Sequence, residues 1–178
     1  MGSDSMPSRK HTVLFVDDEV HILNALRRLL RAEDMTVLCA SRPQQALELL
    51  DHHPVQIVVS DQRMPEMSGV DLLSRVRKRH PGLVRMLLTG CTEMDVGIDA
   101  IHRGGIYRFM PKPWNGAELR ATLRQAFDHF DGKAKIEHLS RPTLQQSREL
   151  QDMNRSLDKP AQKHTRQRDA ALRKLRGV

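Results

Sequence analysis

The sequence predicts an α/β fold, in which a doubly wound sheet of five parallel strands carries helices on both faces. Three observations predict it. Five short apolar runs alternate with five amphipathic stretches over the first 130 residues. The apolar runs are continuous, as expected for parallel strands that are buried on both faces. The connections between them are short, which is consistent with one domain built from right-handed crossovers.

The first strand and helix show the pattern most clearly. Residues Thr12–Val16 form a continuous, largely apolar run that ends in acidic residues. Apolar residues then recur at three- and four-residue steps from Val20 to Leu30, which predicts an amphipathic helix. The same cycle predicts strands at Thr36–Ala40, Val55–Ser60, Val84–Leu88 and Ile106–Phe109, and helices near Pro43–Asp51, Gly69–His80, Asp95–Arg103 and Asn115–Phe130.

The composition changes near residue 130. Residues 1–130 contain 17 Lys and Arg against 16 Asp and Glu, whereas residues 131–178 contain 12 against 6, so most of the net charge of +7 belongs to the second segment. All aromatic residues precede the break. We therefore expect one globular domain over residues 11–130 and a basic helical tail over residues 131–178. Residues 1–10 are expected to be a tag-derived, disordered leader.

The tail is predicted to be a broken helical linker. Gly132 resembles the glycine that ends a helix. Leu150, Met153 and Leu157 have the spacing of a coiled-coil seam. Pro160 interrupts that seam, so a short dimerising coiled coil and a frayed tail both remain open.

Several classes of protein are excluded by composition. No apolar run approaches the ~20 residues that a membrane span requires. The two cysteines, Cys39 and Cys91, are too few for a disulfide framework or a four-ligand zinc site. The basic tail lacks aromatic residues and a core of its own, which argues against specific nucleic-acid binding. We expect a cytoplasmic protein with no membrane and no specific nucleic-acid partner.

Reactive side chains follow four of the predicted strands. The first strand ends in Asp17 and Asp18, and the third ends in Asp61. The fourth ends in Thr89, and the fifth leads to Lys112. The carboxyl ends of parallel strands meet at one edge of the sheet, where ligands bind.

This set of side chains indicates phosphoryl chemistry. Three neighbouring carboxylates repel one another unless a cation shares them or one carboxylate takes up a proton. Mg²⁺ prefers oxygen ligands and bridges to phosphoryl groups. A lysine and a hydroxyl can neutralise phosphoryl oxygens, and an aspartate can be the nucleophile. The residues therefore predict Mg²⁺-assisted phosphorylation of an aspartate.

Four ordered motifs resemble the CheY-like receiver domain of two-component response regulators. They are the segment Val13–Glu19, the D-x-x-M-P-x-M-x-G loop that starts at Asp61, the segment Leu87–Gly90, and Lys112-Pro113. The resemblance covers about residues 11–130. It implies a flavodoxin-like fold with strand order 2-1-3-4-5.

The resemblance implies a role for each matched residue. Asp61 would be the phosphoacceptor. Asp18 and Asp61 would bind Mg²⁺ directly, together with the main-chain carbonyl of Arg63. Asp17 would hold the metal through water, and Lys112 would pair with the phosphoryl group.

The resemblance also implies a switch. Thr89 would hydrogen-bond to the phosphoryl group after a small shift, and Phe109 would follow it between an outer and an inner pocket. The Lys112-Pro113 bond would be cis. Phe109 lacks the hydroxyl of the tyrosine that is also frequent at this position. Pro111 has no backbone donor, and the only role predicted for it is to end the strand.

The implied function is that of a receiver that accepts a phosphoryl group from a sensor histidine kinase or a phosphotransfer protein. Its change of shape would control a downstream output or assembly, and no separate catalytic domain is expected in this chain. A dehalogenase-type phosphatase is disfavoured, because it needs an acid two residues after its nucleophile and Arg63 stands there.

Two alternatives remain open for the output. The chain would act through its tail as a protein-interaction module, or it would be a fragment of a longer cyclic-di-GMP phosphodiesterase or hybrid kinase. The second alternative rests on Asp61–Pro65 and Ile106–Phe109, which look like receivers attached to HD-GYP phosphodiesterases or sensory-kinase modules. A homodimer is one further option, and it would form either through the tail or through the face of the helix near Asp95–Arg103 and the fifth strand.

Overall fold

The computed structural model describes residues 10–90 and 104–136. The first of the two units into which the chain divides ends at Gly132. The described elements are β1 (His11–Val16), α1 (Val20–Leu29), β2 (Met35–Ala40), α2 (Pro43–His52), β3 (Ile57–Asp61), α3 (Gly69–Arg79), β4 (Val84–Gly90), β5 (Arg108–Lys112) and α4 (residues 116–136).

The five strands form one parallel sheet in the order β2-β1-β3-β4-β5. The doubly wound fold and its strand order are therefore confirmed. The register aligns the carboxyl ends of the strands, with Val16 opposite Ser60 and Asp61 opposite Leu88. Because the strand order reverses between β1 and β3, the loops that follow these strands diverge and leave a crevice above the sheet.

Two apolar layers cover the faces of the sheet. Val13 and Phe15 of β1 point into a cluster with residues of α1 and α4, whereas Leu14 and Val16 point into a cluster with residues of α2 and α3. Alternate residues of a strand face opposite sides, so β1 must be apolar throughout. This double burial holds the carboxyl edge of the sheet in place.

The last strand differs from its prediction. Ile106 is buried, but the ladder begins at Arg108 and runs to Lys112. Pro111 pairs with Thr89 in this ladder and does not end the strand, so that prediction is wrong. β5 is an edge strand, and an edge position tolerates proline because a missing donor there breaks no bond within the sheet.

The end of α4 also differs from its prediction. The helix continues through Gly132 to residue 136, so the predicted glycine stop is wrong. A Cβ added at Gly132 would meet no atom within 4 Å. Glycine inside a helix costs only about 1 kcal/mol relative to alanine, and the neighbouring helix formers outweigh that cost.

Some predictions concern residues outside the described part. These are the helix near Asp95–Arg103, Cys91, the leader before residue 10, and the tail from residue 137 on, including the Leu150–Leu157 seam and Pro160. Among the described residues, no helix is both long and apolar enough to cross a membrane.

Candidate functional site

The ammonium group of Lys112 joins two carboxylates at the carboxyl edge of the sheet. Lys112 Nζ donates to Asp17 Oδ2 at 2.7 Å, and it lies 2.5 Å from Asp61 Oδ1. The three residues come from the ends of β5, β1 and β3. The prediction that these side chains converge is confirmed, although the sequence paired Lys112 only with a future phosphoryl group.

Backbone donors fix the other oxygen of each carboxylate. The N–H of Glu19 donates to Asp17 Oδ1 at 2.9 Å, and the N–H of Arg63 donates to Asp61 Oδ2 at 2.8 Å. Both donors lie two residues after their aspartate, where the chain turns away from the strand. The turns thus orient the carboxylates before any ligand binds.

Burial and pairing act against each other on these charges. Burial raises the pKa of Asp17, whose side chain is 1% exposed, and the hydrogen bond from Lys112 offsets part of the rise. Burial alone would lower the pKa of Lys112, but its hydrogen bonds to Asp17 and Asp61 outweigh that effect and raise the pKa. The repulsion of Asp61 is the smallest cause acting on Asp17. Lys112 therefore already supplies the compensating positive charge that the sequence assigned to a metal.

Asp18 lies apart from this buried pair. Its side chain is exposed and lines a surface pocket with Pro65 and Glu66. Within residues 10–90 and 104–136, no group of three or more His, Cys, Asp or Glu side chains is arranged to hold a metal. The oxygens of Asp17 and Asp61, with Asp18 at the entrance, nevertheless suit Mg²⁺, because that ion needs few protein ligands and keeps several waters.

The predicted switch residues lie on the two strands beside this site. Thr89 is buried near the end of β4, and it pairs with Pro111 of β5. Phe109 is half-buried and packs against the α2 and α3 cluster. The Lys112-Pro113 bond is cis, in agreement with the prediction. Thr89 and Phe109 thus connect the site to one face of the sheet.

Gln62 and Gly69, which follow Asp61 in the chain, have structural roles that the sequence did not reveal. A Cβ on Gly69 would lie 2.1 Å from the carbonyl oxygen of Asp61 and 2.8 Å from Leu87 Cδ1. Gln62 accepts the N–H of Gly69 with its carbonyl oxygen and the N–H of Val70 with its side-chain oxygen. The missing side chain of Gly69 and the two hydrogen bonds to Gln62 hold the start of α3 close to the end of β3. The glycine was visible in the motif, but its reason is a close approach between two elements.

Comparisons with known proteins agree with this geometry. The family model of the response regulator receiver domain matches residues 13–124. The hydrogenase transcriptional regulatory protein HoxA of Bradyrhizobium diazoefficiens is 44% identical over 115 residues, which are 65% of this chain and 24% of that protein. The DNA-binding transcriptional regulator NtrC of Escherichia coli is 30% identical over 118 residues, 66% of this chain and 25% of that protein.

A solved structure shows the same fold. The signal receiver domain of an HD domain-containing protein from Pseudomonas fluorescens Pf-5 is 38% identical with a TM-score of 0.67, and the match covers 70% of this chain and 99% of that one. The chain spans about a quarter of the curated relatives named above. The matched family model covers β1 from Val13 on, the other four strands and every motif of the carboxyl edge, so the chain belongs to the family of response regulator receiver domains.

Proposed function

We propose that this chain accepts a phosphoryl group on Asp61 and that the modification switches its conformation. Phosphorylation and Mg²⁺ binding are general properties of receiver domains. The observation that carries the proposal is the ammonium group of Lys112, which lies between Asp17 and Asp61. A cation held against the nucleophile can neutralise the oxygens of a transferring phosphoryl group.

Mg²⁺ would be bound directly by the side chains of Asp18 and Asp61 and by the main-chain carbonyl of Arg63. Asp17 would contact the ion through water. When bound, Mg²⁺ neutralises charge on the phosphoryl oxygens and orients them. Asp18 is exposed and can receive the ion from solvent, while Asp17 and Asp61 are held by backbone donors.

In the transfer itself, a carboxylate oxygen of Asp61 attacks phosphorus in line with the donor. The donor is a phosphohistidine of a sensor kinase or phosphotransfer protein. The new O–P bond forms as the P–N bond breaks, and the electron pair stays on the imidazole nitrogen. Lys112 leaves Asp61 Oδ1 for a phosphoryl oxygen and keeps its bond to Asp17, so the ammonium group stays paired throughout.

The switch follows from the new charge. Thr89 moves to donate its hydroxyl proton to a phosphoryl oxygen, and Phe109 turns into the space near Thr89. Both residues lie on adjacent strands at the β4–β5 edge, so a local charge change is converted into a new surface there.

The output lies beyond the receiver fold. The relatives HoxA and NtrC are named as transcriptional regulators, and the Pseudomonas receiver is part of an HD domain-containing protein. We propose a receiver over residues 11–130 that acts in the cytoplasm, where its kinase would meet it. Control through the basic segment from residue 131, including its pairing with a second copy, is the alternative to a further domain.

The test is phosphorylation in vitro. The chain is incubated with acetyl phosphate and Mg²⁺, and the phosphorylated fraction is separated on a phosphate-affinity gel. We expect wild type to be labelled and Asp61→Asn to remain unlabelled. Asp51→Asn, an exposed acid of α2, is the matched control and should be labelled like wild type. Equal labelling of wild type and Asp61→Asn would refute the assignment.

A further inference from the structure

The two edges of the sheet differ in their protection against the addition of another strand. β5 contains Arg108, Pro111 and Lys112, and charged residues and prolines at an edge discourage further pairing. β2 lies at the opposite edge and has the sequence MTVLCA, with no charge and no proline. It pairs with β1 in continuous register along all six residues, without a bulge. A regular, apolar edge strand of this kind is a template for another strand.

The hydrogen bonds of β2 identify the backbone groups on its outer side. The carbonyl oxygen of Ala40 accepts the N–H of Asp17 at 3.1 Å, so the backbone groups of Ala40 point to β1. Successive residues of a strand direct these groups to alternate sides. Those of Val37 and Cys39 therefore point away from the sheet, and no hydrogen bond engages them among the residues that the structure describes.

Local hydrogen bonds close the outer side of β2 at both ends. The N–H of Met35 donates to the carbonyl oxygen of Glu33 at 2.8 Å. The N–H of Ser41 donates to Gln45 Oε1 at 2.9 Å. The open stretch between these two closed donors has its midpoint at Leu38, so its remaining donors are placed symmetrically about that residue.

We propose that β2 pairs with β2 of a second copy of this chain, in antiparallel orientation about a two-fold axis at Leu38. In this register, Val37 of one copy and Cys39 of the other exchange both of their backbone hydrogen bonds, and the axis repeats the exchange. The two open donors of each copy are then satisfied. The two five-stranded sheets join into one continuous sheet.

The charges that flank β2 are complementary in the same register. Asp34 precedes β2 and Arg42 follows it, each four residues from Leu38, so Asp34 of one copy comes opposite Arg42 of the other. The side chain of Asp34 is 91% exposed, and its ion pair with Lys10 is long, at 3.8 Å. Arg42 is exposed, and its backbone is extended, with φ of −144° and ψ of 147°. A pair of opposite charges at each end fixes the register of the strands and favours a second copy over an unrelated strand.

The pairing goes beyond the proposed function and does not depend on it. Thr89 and Phe109 lie on β4 and β5, at the other end of the strand order. Two copies joined through β2 therefore keep both β4–β5 edges free. The dimer would hold two receivers side by side whether or not Asp61 carries a phosphoryl group.

The first test measures the dissociation constant of the dimer for the full chain by analytical ultracentrifugation. Asp34→Arg and Arg42→Glu should each raise this constant by about tenfold at low salt, because like charges then meet at both ends of the pairing. The double variant should return to within about threefold of wild type, since opposite charges face each other again. Arg79→Glu, at an exposed residue of α3, is the control and should dimerise like wild type.

The charge exchange also separates the proposal from misfolding. Arg42 makes no side-chain hydrogen bond as the N-cap of α2, and Asp34 is almost fully exposed, so neither substitution removes a contact of the core. A variant that had lost its fold would not be rescued by a second substitution on the other side of β2.

The second test examines the register by disulfide cross-linking. In a chain with Cys39 and Cys91 replaced by serine, Leu38→Cys should give a covalent dimer under mild oxidation. Leu38 would face itself at a pair without hydrogen bonds, where the Cα atoms lie about 4.5 Å apart, within the range of a disulfide. Val37→Cys in the same background is the control and should stay uncross-linked, because it would face residue 39 of the other copy.

Three results would overturn the proposal. The first is a wild-type chain that stays monomeric at high concentration. The second is a dimer whose dissociation constant is unchanged in both single variants, since another surface would then join the copies. The third is cross-linking of Val37→Cys in place of Leu38→Cys, which would show that the strands pair in a different register.

Discussion

Two largely buried cations, Lys112 and Arg85, lie at opposite ends of the same sheet. Lys112 ends β5, its side chain is 18% exposed, and its partners are the carboxylates of Asp17 and Asp61. Arg85 is near the start of β4 and is 9% exposed, and its acceptors within residues 10–90 and 104–136 are backbone carbonyls. The acceptors of Arg85 belong to Pro81, Leu83, Gly104 and Gly105, at distances from 2.7 to 3.4 Å.

The partners shift the two pKa values in opposite directions. Carboxylates raise the pKa of Lys112 despite its burial. Burial, and then the neighbouring charge of Arg77, lower the pKa of Arg85. Carbonyls satisfy the donors of a cation but do not cancel its charge, whereas carboxylates do both. Burial alone therefore does not mark a functional charge.

The hydrogen-bond partners distinguish the proposed functional role of Lys112 from the structural role of Arg85. Under the proposed function, the partners of Lys112 can change, because a phosphoryl group would replace Asp61 Oδ1 as acceptor. Arg85 joins the turn before β4 to the turn before β5, and its described acceptors have no part in the proposed transfer. The two residues should therefore fail in different ways when each is replaced by methionine.

The largest expected effect is on phosphorylation. Lys112→Met should lower the rate of labelling by acetyl phosphate by at least about 100-fold, because a preorganised cation at the transferring group is lost. Arg85→Met should change the rate of labelling by no more than about twofold, since Arg85 lies at the opposite end of the sheet from Asp61. Initial rates on a phosphate-affinity gel measure both, with Lys78→Met as the exposed-lysine control. A similar loss in both variants would remove the distinction between the two cations.

The second effect is on stability. Arg85→Met should lower the free energy of unfolding by about 2 to 3 kcal/mol, because hydrogen bonds from a charged donor to buried acceptors are lost. Urea denaturation measures the change, and Arg75→Met provides a control at an exposed arginine of α3. If Arg85→Met were as stable as that control, the carbonyl contacts would have no structural importance.

The third effect depends on pH. Lys112 has a folded-state pKa above its ordinary value of 10.5, so its contribution to stability is complete below pH 10.5 and is lost as pH rises through the raised pKa. Without Mg²⁺, the free energy of unfolding of wild type should exceed that of Lys112→Met by about 2 kcal/mol near neutral pH. This difference should decrease only in strong alkali. Unfolding free energies of both chains across this range measure it. A difference that vanished near pH 8 would show that Lys112 is not paired as described.

The smallest effect is the stabilisation by Mg²⁺. At about ten times its Kd, the ion should raise the free energy of unfolding by about 1.4 kcal/mol, because it binds only the folded chain. Asp18→Asn should remove most of this gain. Arg85→Met should show the full gain, although its free energy of unfolding without Mg²⁺ is lower than that of wild type. Thermal melts with and without Mg²⁺ provide the measurement, and an equal gain in Asp18→Asn would exclude that residue as a ligand.

Much of the fold was visible in the sequence because each signal for it is local. The apolar run of β1 and the three- and four-residue steps of α1 lie within single short segments. Where the structure departed from the prediction, the deciding factor was a neighbour in space. Pro111 is tolerated because β5 has a partner on only one side, and strand order is not written in any single segment.

The site shows the same division. The sequence by itself determined which side chains meet at the carboxyl edge, since Asp17, Asp61 and Lys112 each lie at the end of a strand and parallel strands end at one edge. Only the tertiary structure decided how they pair. Whether Lys112 meets Asp17, and whether Asp18 turns to the surface, depends on contacts across 95 residues of sequence and on burial, which no local pattern encodes. The same holds for Gly69 and for Arg85, whose roles exist only because distant backbone segments approach each other.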